Sequence, residues 1–107
     1  MTEPAQSSPE LSGIVVQWGD PAPLRALVEA WPRDSRFELV VVDNGGGSLP
    51  ELPPWVRLLE PGRNLGFGGG ANAGAVLACG RILLVLNPDV VPRPGAWALV
   101  PQAVESR

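Results

Sequence analysis

Arg81-Ile-Leu-Leu-Val-Leu-Asn-Pro-Asp-Val90 is the stretch that decides the fold. Residues 82–86 form an unbroken apolar run of branched side chains between Gly80 and Pro88. Such a run reads as a buried strand covered on both faces. It is too short to cross a membrane as a helix. Pro88 has no N–H to give to a sheet ladder, so the strand stops before it. The reading predicts a central strand that delivers Asp89 at its carboxyl end, the edge of an open α/β sheet where ligands bind.

Working outward, residues 13–18 (Gly-Ile-Val-Val-Gln-Trp) predict a first strand with β-branched residues at its centre. Asp20 and Pro21 then suit the N-cap and first position of a helix. Leu24, Leu27, Val28 and Trp31 follow at i, i+3, i+4 and i+7, forming one apolar face, and Pro32 ends it. Residues 37–42 predict a second strand that runs into Asp43-Asn44-Gly45. Residues 55–60 predict a third, shorter strand nearer an edge. A loop starting at Arg63 leads into a helix of small residues, 71–79, capped by Gly80. Residues 95–102 read as the start of another helix bearing Trp97, Leu99 and Val100, interrupted by Pro101. The order β-α-β-β-α-β implies an α/β, Rossmann-like, mostly parallel sheet of about four strands with flanking helices. Residues 1–12 are polar and read as a flexible arm; residues 13–107 read as a single domain.

Composition narrows the chemistry. The chain has 107 residues with 13 glycines and 13 prolines, and these fall between apolar runs, as turns do. All its basic residues are arginine and it has no histidine, so any metal must be held by oxygen, which favours Mg or Mn over Zn. The net charge of −3 argues against a broad nucleic-acid footprint. Cys79 is the only cysteine and reads as a small buried thiol. The polar start resembles no signal peptide, so the expected setting is cytoplasmic. The tryptophans read as core or interface residues, with Trp18 at the pocket end of the first strand as the exception.

Three features converge on a metal-bound nucleotide. Asp43 and Asp89 each follow an apolar strand. The run Gly66-Phe-Gly-Gly-Gly-Ala71 precedes the strand that carries Asp89. Successive backbone N–H groups at a helix start suit an anion, a carboxylate holding a divalent cation suits a diphosphate, and a second carboxylate suits a base or ribose. Each feature taken singly also reads as an ordinary turn. The glycine run fits the G-x-G-x-x-G/A dinucleotide fingerprint, with Asp89 lying 18 residues past Ala71. The context differs, because that fingerprint directly follows the first strand of its fold. An NAD-type domain is therefore the lesser alternative.

At Val40-Val-Val-Asp-Asn44, Asn64-Leu-Gly-Phe-Gly-Gly69 and Leu86-Asn-Pro-Asp-Val90 the chain resembles family 2 glycosyltransferases of the GT-A fold, and looks closest to their rhamnosyltransferase-like branch. The motifs occur in the family's order, and the resemblance covers about Gly13 to Val104, nearly the whole chain. The resemblance implies that Asp43 contacts the base of a nucleotide-diphosphate sugar. It places Gln17 and Trp18 in the same pocket, Asn64, Leu65 and Gly66 as the wall beside base and ribose, and Asn72 nearby. Asn87-Pro-Asp89 stands where the family carries Asp-x-Asp. Asp89 would then hold Mn or Mg against the donor diphosphate, and Asn87 would bond the ribose or sugar. Arg63 is expected at the pocket rim or near a phosphate.

The implied activity is inverting transfer of a sugar to an acceptor in polysaccharide biosynthesis. By the same resemblance the general base is a carboxylate from the second half of the domain, and after Asp89 the only acid here is Glu105. The chain therefore reads as the donor-binding half, to which a second chain would supply the acceptor half, and no catalytic residue is identifiable in it. A non-catalytic nucleotide-binding or partner-binding fragment is the alternative, and a structural remnant whose motifs survive as turns is the third.

Overall fold

The computed structural model describes residues 9–91 together with Arg93, Gly95, Ala96, Leu99 and Val100. Its elements are β1 (Leu11–Gln17), α1 (Ala22–Ala30), β2 (Phe37–Asp43), β3 (Arg57–Leu59), α2 (Gly66–Leu77) and β4 (Ile82–Leu86). The four strands form one sheet in the order β3-β2-β1-β4, and every neighbouring pair is parallel. This is the α/β Rossmann-like arrangement that the alternation of elements implied.

The two crossovers that carry helices run in opposite directions along the sheet. The first steps from β1 to β2, and the second passes from β3 back over the sheet to β4. Right-handed crossovers of opposite direction put their helices on opposite faces. Side-chain alternation bears this out. Leu11 and Val15 of β1, with Leu39 and Val41 of β2, pack against Leu24, Leu27, Val28 and Trp31 of the α1 segment. The alternate residues Ile14, Val16, Val40 and Val42 lie beneath α2, beside Gly70 and Gly74.

Local chemistry sets the ends of α1. Asp20 Oδ1 accepts a hydrogen bond from Ala22 N–H at 3.0 Å, satisfying one of the amides a helix start leaves unpaired. At the other end Trp31 is extended, the conformation that a following proline favours. Its ring lies over Gly13, where a Cβ would come within 3.0 Å of Cζ3, and its Nε1–H donates to the Phe37 carbonyl at 3.2 Å.

Several expectations are corrected. β4 is not central: among the described residues it pairs only with β1 and ends the sheet, whereas all seven residues of β1 are buried. α2 packs over β1 and β2, so Leu83 and Val85 remain 46% and 42% exposed on that side. An unbroken apolar run has no period from which to tell one covered face from two. The expected arm also ends earlier, because Leu11 and Ser12 are buried members of β1. The second helix starts at Gly66 and ends at Leu77, so the glycine run is helix rather than loop, and Ala78 rather than Gly80 is its C-cap. β3 is confined to Arg57–Leu59, at the expected edge position.

Cys79 is exposed, not buried, in the turn between α2 and β4. Trp31 is a core residue, Trp55 is half-buried under the Arg33 guanidinium at 5.1 Å, and Trp18 is exposed. Ala96, Leu99 and Val100 are helical, with Val100 against the core. Trp97, Pro101 and Glu105 lie outside the described residues. Among the described residues no helix is long and apolar enough to cross a membrane.

Candidate functional site

The parallel strands end together at one edge of the sheet. The chain leaves β1 towards β2 on one side, and β4 joins β1 on the other. The gap between β1 and β4 is therefore the topological switch point, the crevice where open α/β sheets bind ligands.

The ends of β1 and β2 are stitched into one surface. Asn44 N–H donates to the Gln17 carbonyl at 2.8 Å, and Gly19 N–H donates to the Gly45 carbonyl at 2.9 Å. Asp43, half-buried at the last position of β2, accepts the Gly45 N–H at 2.9 Å. That local bond turns the chain sharply through Gly45 and Gly46, both at positive φ. Trp18, 62% exposed, stands beside Gly46, where any Cβ would meet its indole.

The turn before α2 closes on this surface. Asn64 Oδ1 accepts the Gly66 N–H at 2.8 Å, which shapes the entry into the helix. The buried Asn44 side chain donates from Nδ2 to the Gly66 carbonyl at 2.9 Å and accepts the Leu65 N–H at Oδ1, at 3.3 Å. Beside this turn, between the end of β2 and residues 60–63, lies a cleft of about 190 Å³, lined by Asp43, Asn44, Gly45, Glu60, Gly62 and Arg63. Pockets enclosing whole small ligands run to roughly 300–1,000 Å³, so this cleft suits one ring of a ligand rather than all of it.

The remaining expected site residues fall into three groups. Asn64, Leu65 and Gly66 stand beside the Asp43 cleft, held there through Asn44, and Arg63 is on its rim. Asn87 and Asp89 are exposed in the turn after β4, where Val90 N–H donates to the Asn87 carbonyl at 3.2 Å. β1 separates them from Asp43, a gap of two inter-strand spacings, roughly 10 Å. A ligand touching both must extend across the end of β1, past Trp18.

Gln17 and Asn72 are placed elsewhere. Gln17 is only 1% exposed, on the α1 side of the sheet. Its Nε2 donates to the Gly19 and Asp20 carbonyls at 3.3 and 3.2 Å, so it braces the β1–α1 loop. Its Oε1 has no partner among the described residues. Asn72 is exposed, about 200° around α2 from the sheet-facing Gly70, and so lies on the outer side of the helix.

Among the described residues no three of His, Cys, Asp and Glu cluster as metal ligands do. The turn after β4 offers one exposed carboxylate, Asp89, with Asn87 beside it. That donor set fits a hard cation carried in by a diphosphate, which needs only one or two protein carboxylates, and does not fit a resident ion.

The opposite end of the sheet holds a larger cleft, about 420 Å³, where Arg33, Asp34, Glu38, Trp55 and Arg57 meet. The Arg57–Glu38 pair at 3.1 Å leaves no unpaired carboxylate at Glu38 there, and Asp34 is paired with Arg36 at 2.8 Å. Glu38 anchors a network: it accepts from Ser12 Oγ at 2.6 Å and Cys79 N–H at 2.8 Å, and Ser12 Oγ accepts the Gly80 N–H at 2.7 Å. Burial works to raise the Glu38 carboxyl. The Cys79 N–H, the Ser12 hydroxyl and Arg57 outweigh it and hold the group below its ordinary value.

Two residues with a structural part in this design went unread in the sequence. Asn44 looked like a turn residue, and nothing local distinguishes a turn asparagine from one bonded to a segment some twenty positions away. Glu38 carried a weak signal, since a charge inside an apolar strand demands a partner. No protein-family model matches the chain, and no curated protein matches it.

Proposed function

We propose that the chain is the donor-binding part of a glycosyltransferase, taking a nucleotide-diphosphate sugar at the carboxyl edge of its sheet. The observation that carries the reading is the cleft lined by Asp43, Glu60, Gly62 and Arg63, beside which Asn44 ties down the Leu65–Gly66 turn, next to the switch point. In this reading the Asp43 carboxylate accepts an N–H of the base, and the Asn64–Leu65–Gly66 turn walls the base and ribose. The diphosphate then runs across the end of β1 towards Asn87 and Asp89. A divalent cation bound there supplies charge neutralisation for the departing diphosphate. Asp89 holds that cation, and Asn87 offers a hydrogen bond to the ribose or sugar.

The acceptor and the general base for its hydroxyl belong to a second polypeptide segment. The edge of β4, unpaired among the described residues, and the exposed Leu83 and Val85 support this, because all-parallel sheets are normally covered on both faces.

Calorimetry with UDP, dTDP and GDP, with and without Mn, tests the reading. One nucleotide should bind in a metal-dependent manner, and Asp89→Ala and Asp43→Ala should each weaken it at least tenfold. A folded chain that binds none of the three refutes the proposal and leaves a structural remnant as the better account. Metal-independent binding that is unchanged in Asp89→Ala favours the non-catalytic nucleotide-binding module.

A further inference from the structure

We infer that Asn44 is the positioning residue of this site, the side chain that, among the described residues, locks the Asp43 strand end to the turn at Leu65 and Gly66. The inference rests on the nucleotide-binding reading for its functional consequence. Its structural content stands on hydrogen bonds alone.

Asn44 is 4% exposed and follows directly on the last residue of β2. Its main-chain N–H is bonded to Gln17 of β1, so its backbone is part of the sheet. Its side-chain amide meets the main chain on both sides of the Leu65–Gly66 peptide, one bond given to the Gly66 carbonyl and one taken from the Leu65 N–H. Asp43 is a single peptide unit away. The distance from its carboxylate to the 65–66 turn is therefore set by these two bonds.

Little else does that work. The Asn64–Gly66 bond is internal to the turn and shapes it without tying it to the sheet. Glu60, Gly62 and Arg63, across the cleft, are exposed. The next contact between α2 and the sheet is at Gly70, where a Cβ would stand 2.8 Å from Val16 Cγ1 and 3.1 Å from Asn44 Nδ2 itself. That closeness also explains the side-chain length: a glutamine at position 44 would need room that the α2 backbone occupies.

The chemistry at position 44 is specific as well as short. One donor and one acceptor are needed, in fixed places. A carboxylate is acceptor-only and would set an anionic oxygen against the Gly66 carbonyl, whereas a protonated carboxyl can donate there as the amide does. Asn44→Asp is thus a switch whose state is read by pH. Facing a carbonyl in a buried place raises the introduced carboxyl above the ordinary aspartate value.

The test measures nucleotide affinity of wild type, Asn44→Asp and Asn44→Ala at pH 8 and pH 5, each variant as a ratio to wild type at the same pH. Asn44→Asp should bind at least tenfold more weakly at pH 8 and recover to within about threefold of wild type at pH 5, in line with protonation of a raised carboxyl. Asn44→Ala should be weaker at both. Val28→Ala, a core change on the far face of the sheet, serves as a control for lost stability and should leave affinity unchanged.

Amide exchange in the ligand-free protein gives a second readout. Leu65 N–H should lose protection in Asn44→Ala while the Gly19 N–H, bonded to Gly45, keeps it. Wild-type affinity in Asn44→Asp at pH 8, an equal loss at both pH values, or unchanged exchange at Leu65 overturns the inference. If wild type binds no nucleotide, the functional reading fails, and the exchange result still decides whether Asn44 holds the turn.

Discussion

Gly74 of α2 and Ile14 of β1 approach so closely that a methyl group on Gly74 would stand 2.6 Å from Ile14 Cγ2. The helix lies on the sheet at backbone distance, and Gly70 and Gly74 are there for packing. Gly68, two residues before Gly70 on the same helix, has nothing within 4 Å of where its Cβ would be. The same substitution therefore has opposite signs at the two positions. Gly68→Ala should stabilise by about 0.5–1 kcal/mol, through helix propensity and a stiffer unfolded chain. Gly74→Ala should destabilise by about 1–3 kcal/mol, because overpacking against Ile14 outweighs that gain. Urea midpoints at unchanged slope measure both.

The Glu38 network makes stability depend on acid. Its carboxyl is held below the ordinary value of 4.5 in the folded chain. The associated stabilisation is present above the unfolded-state value and is lost as pH falls through the lower folded-state value. Glu38→Gln should cost about 1–3 kcal/mol at pH 7, the scale of hydrogen bonds to a charged group. The gap between variant and wild type should narrow as the solution is acidified from pH 5 to pH 3. A gap that stays constant over that range would contradict the assignment.

Trp31 spans from α1 to the start of β2, with its ring over Gly13 and its N–H on the Phe37 carbonyl. Trp31→Ala should lose about 3–5 kcal/mol, enough to unfold a marginal domain. Trp31→Phe keeps most of the ring but leaves the Phe37 carbonyl one bond short, a loss of about 1–3 kcal/mol. Thermal unfolding followed by tryptophan fluorescence and by far-ultraviolet circular dichroism reads both variants.

Among the described residues the outer edge of β4 is unpaired, with no charge or proline within the strand, and Leu83 and Val85 are exposed beside it. Such edges pair with other chains. The purified protein should elute earlier from gel filtration as concentration rises, and Val85→Lys should suppress that shift. Because the side chain at 85 already reaches solvent, the substitution should change stability by no more than about 0.5 kcal/mol.

Much of the fold was legible because it rests on local signals. Asp20, Pro21 and Pro32 bracket α1, and the Leu24–Leu27–Val28 stripe gives its buried face. Two β-branched runs mark β1 and β2. Asp43 could be placed at a strand end because alternating elements imply a parallel sheet, whose strands all finish on one side. The nearness of the 64–66 turn to Asp43 was expected from motif resemblance, and the tie that holds the two together was not foreseen.

The sequence by itself determined most of the strands and helices, that the strands run parallel, and which carboxylates reach the carboxyl edge of the sheet. These follow from periodicity, from proline and glycine chemistry, and from the geometry of crossovers. Only the tertiary structure decided that β4 lies at the edge, that Gly70 and Gly74 are packing residues, that Ser12 and Glu38 belong together, and that Asn44 clasps Leu65 and Gly66. Each of these depends on which surface a residue meets across the fold. A run such as Ile82-Leu-Leu-Val-Leu86 records its own hydrophobicity, but only its neighbours determine how much of it is covered.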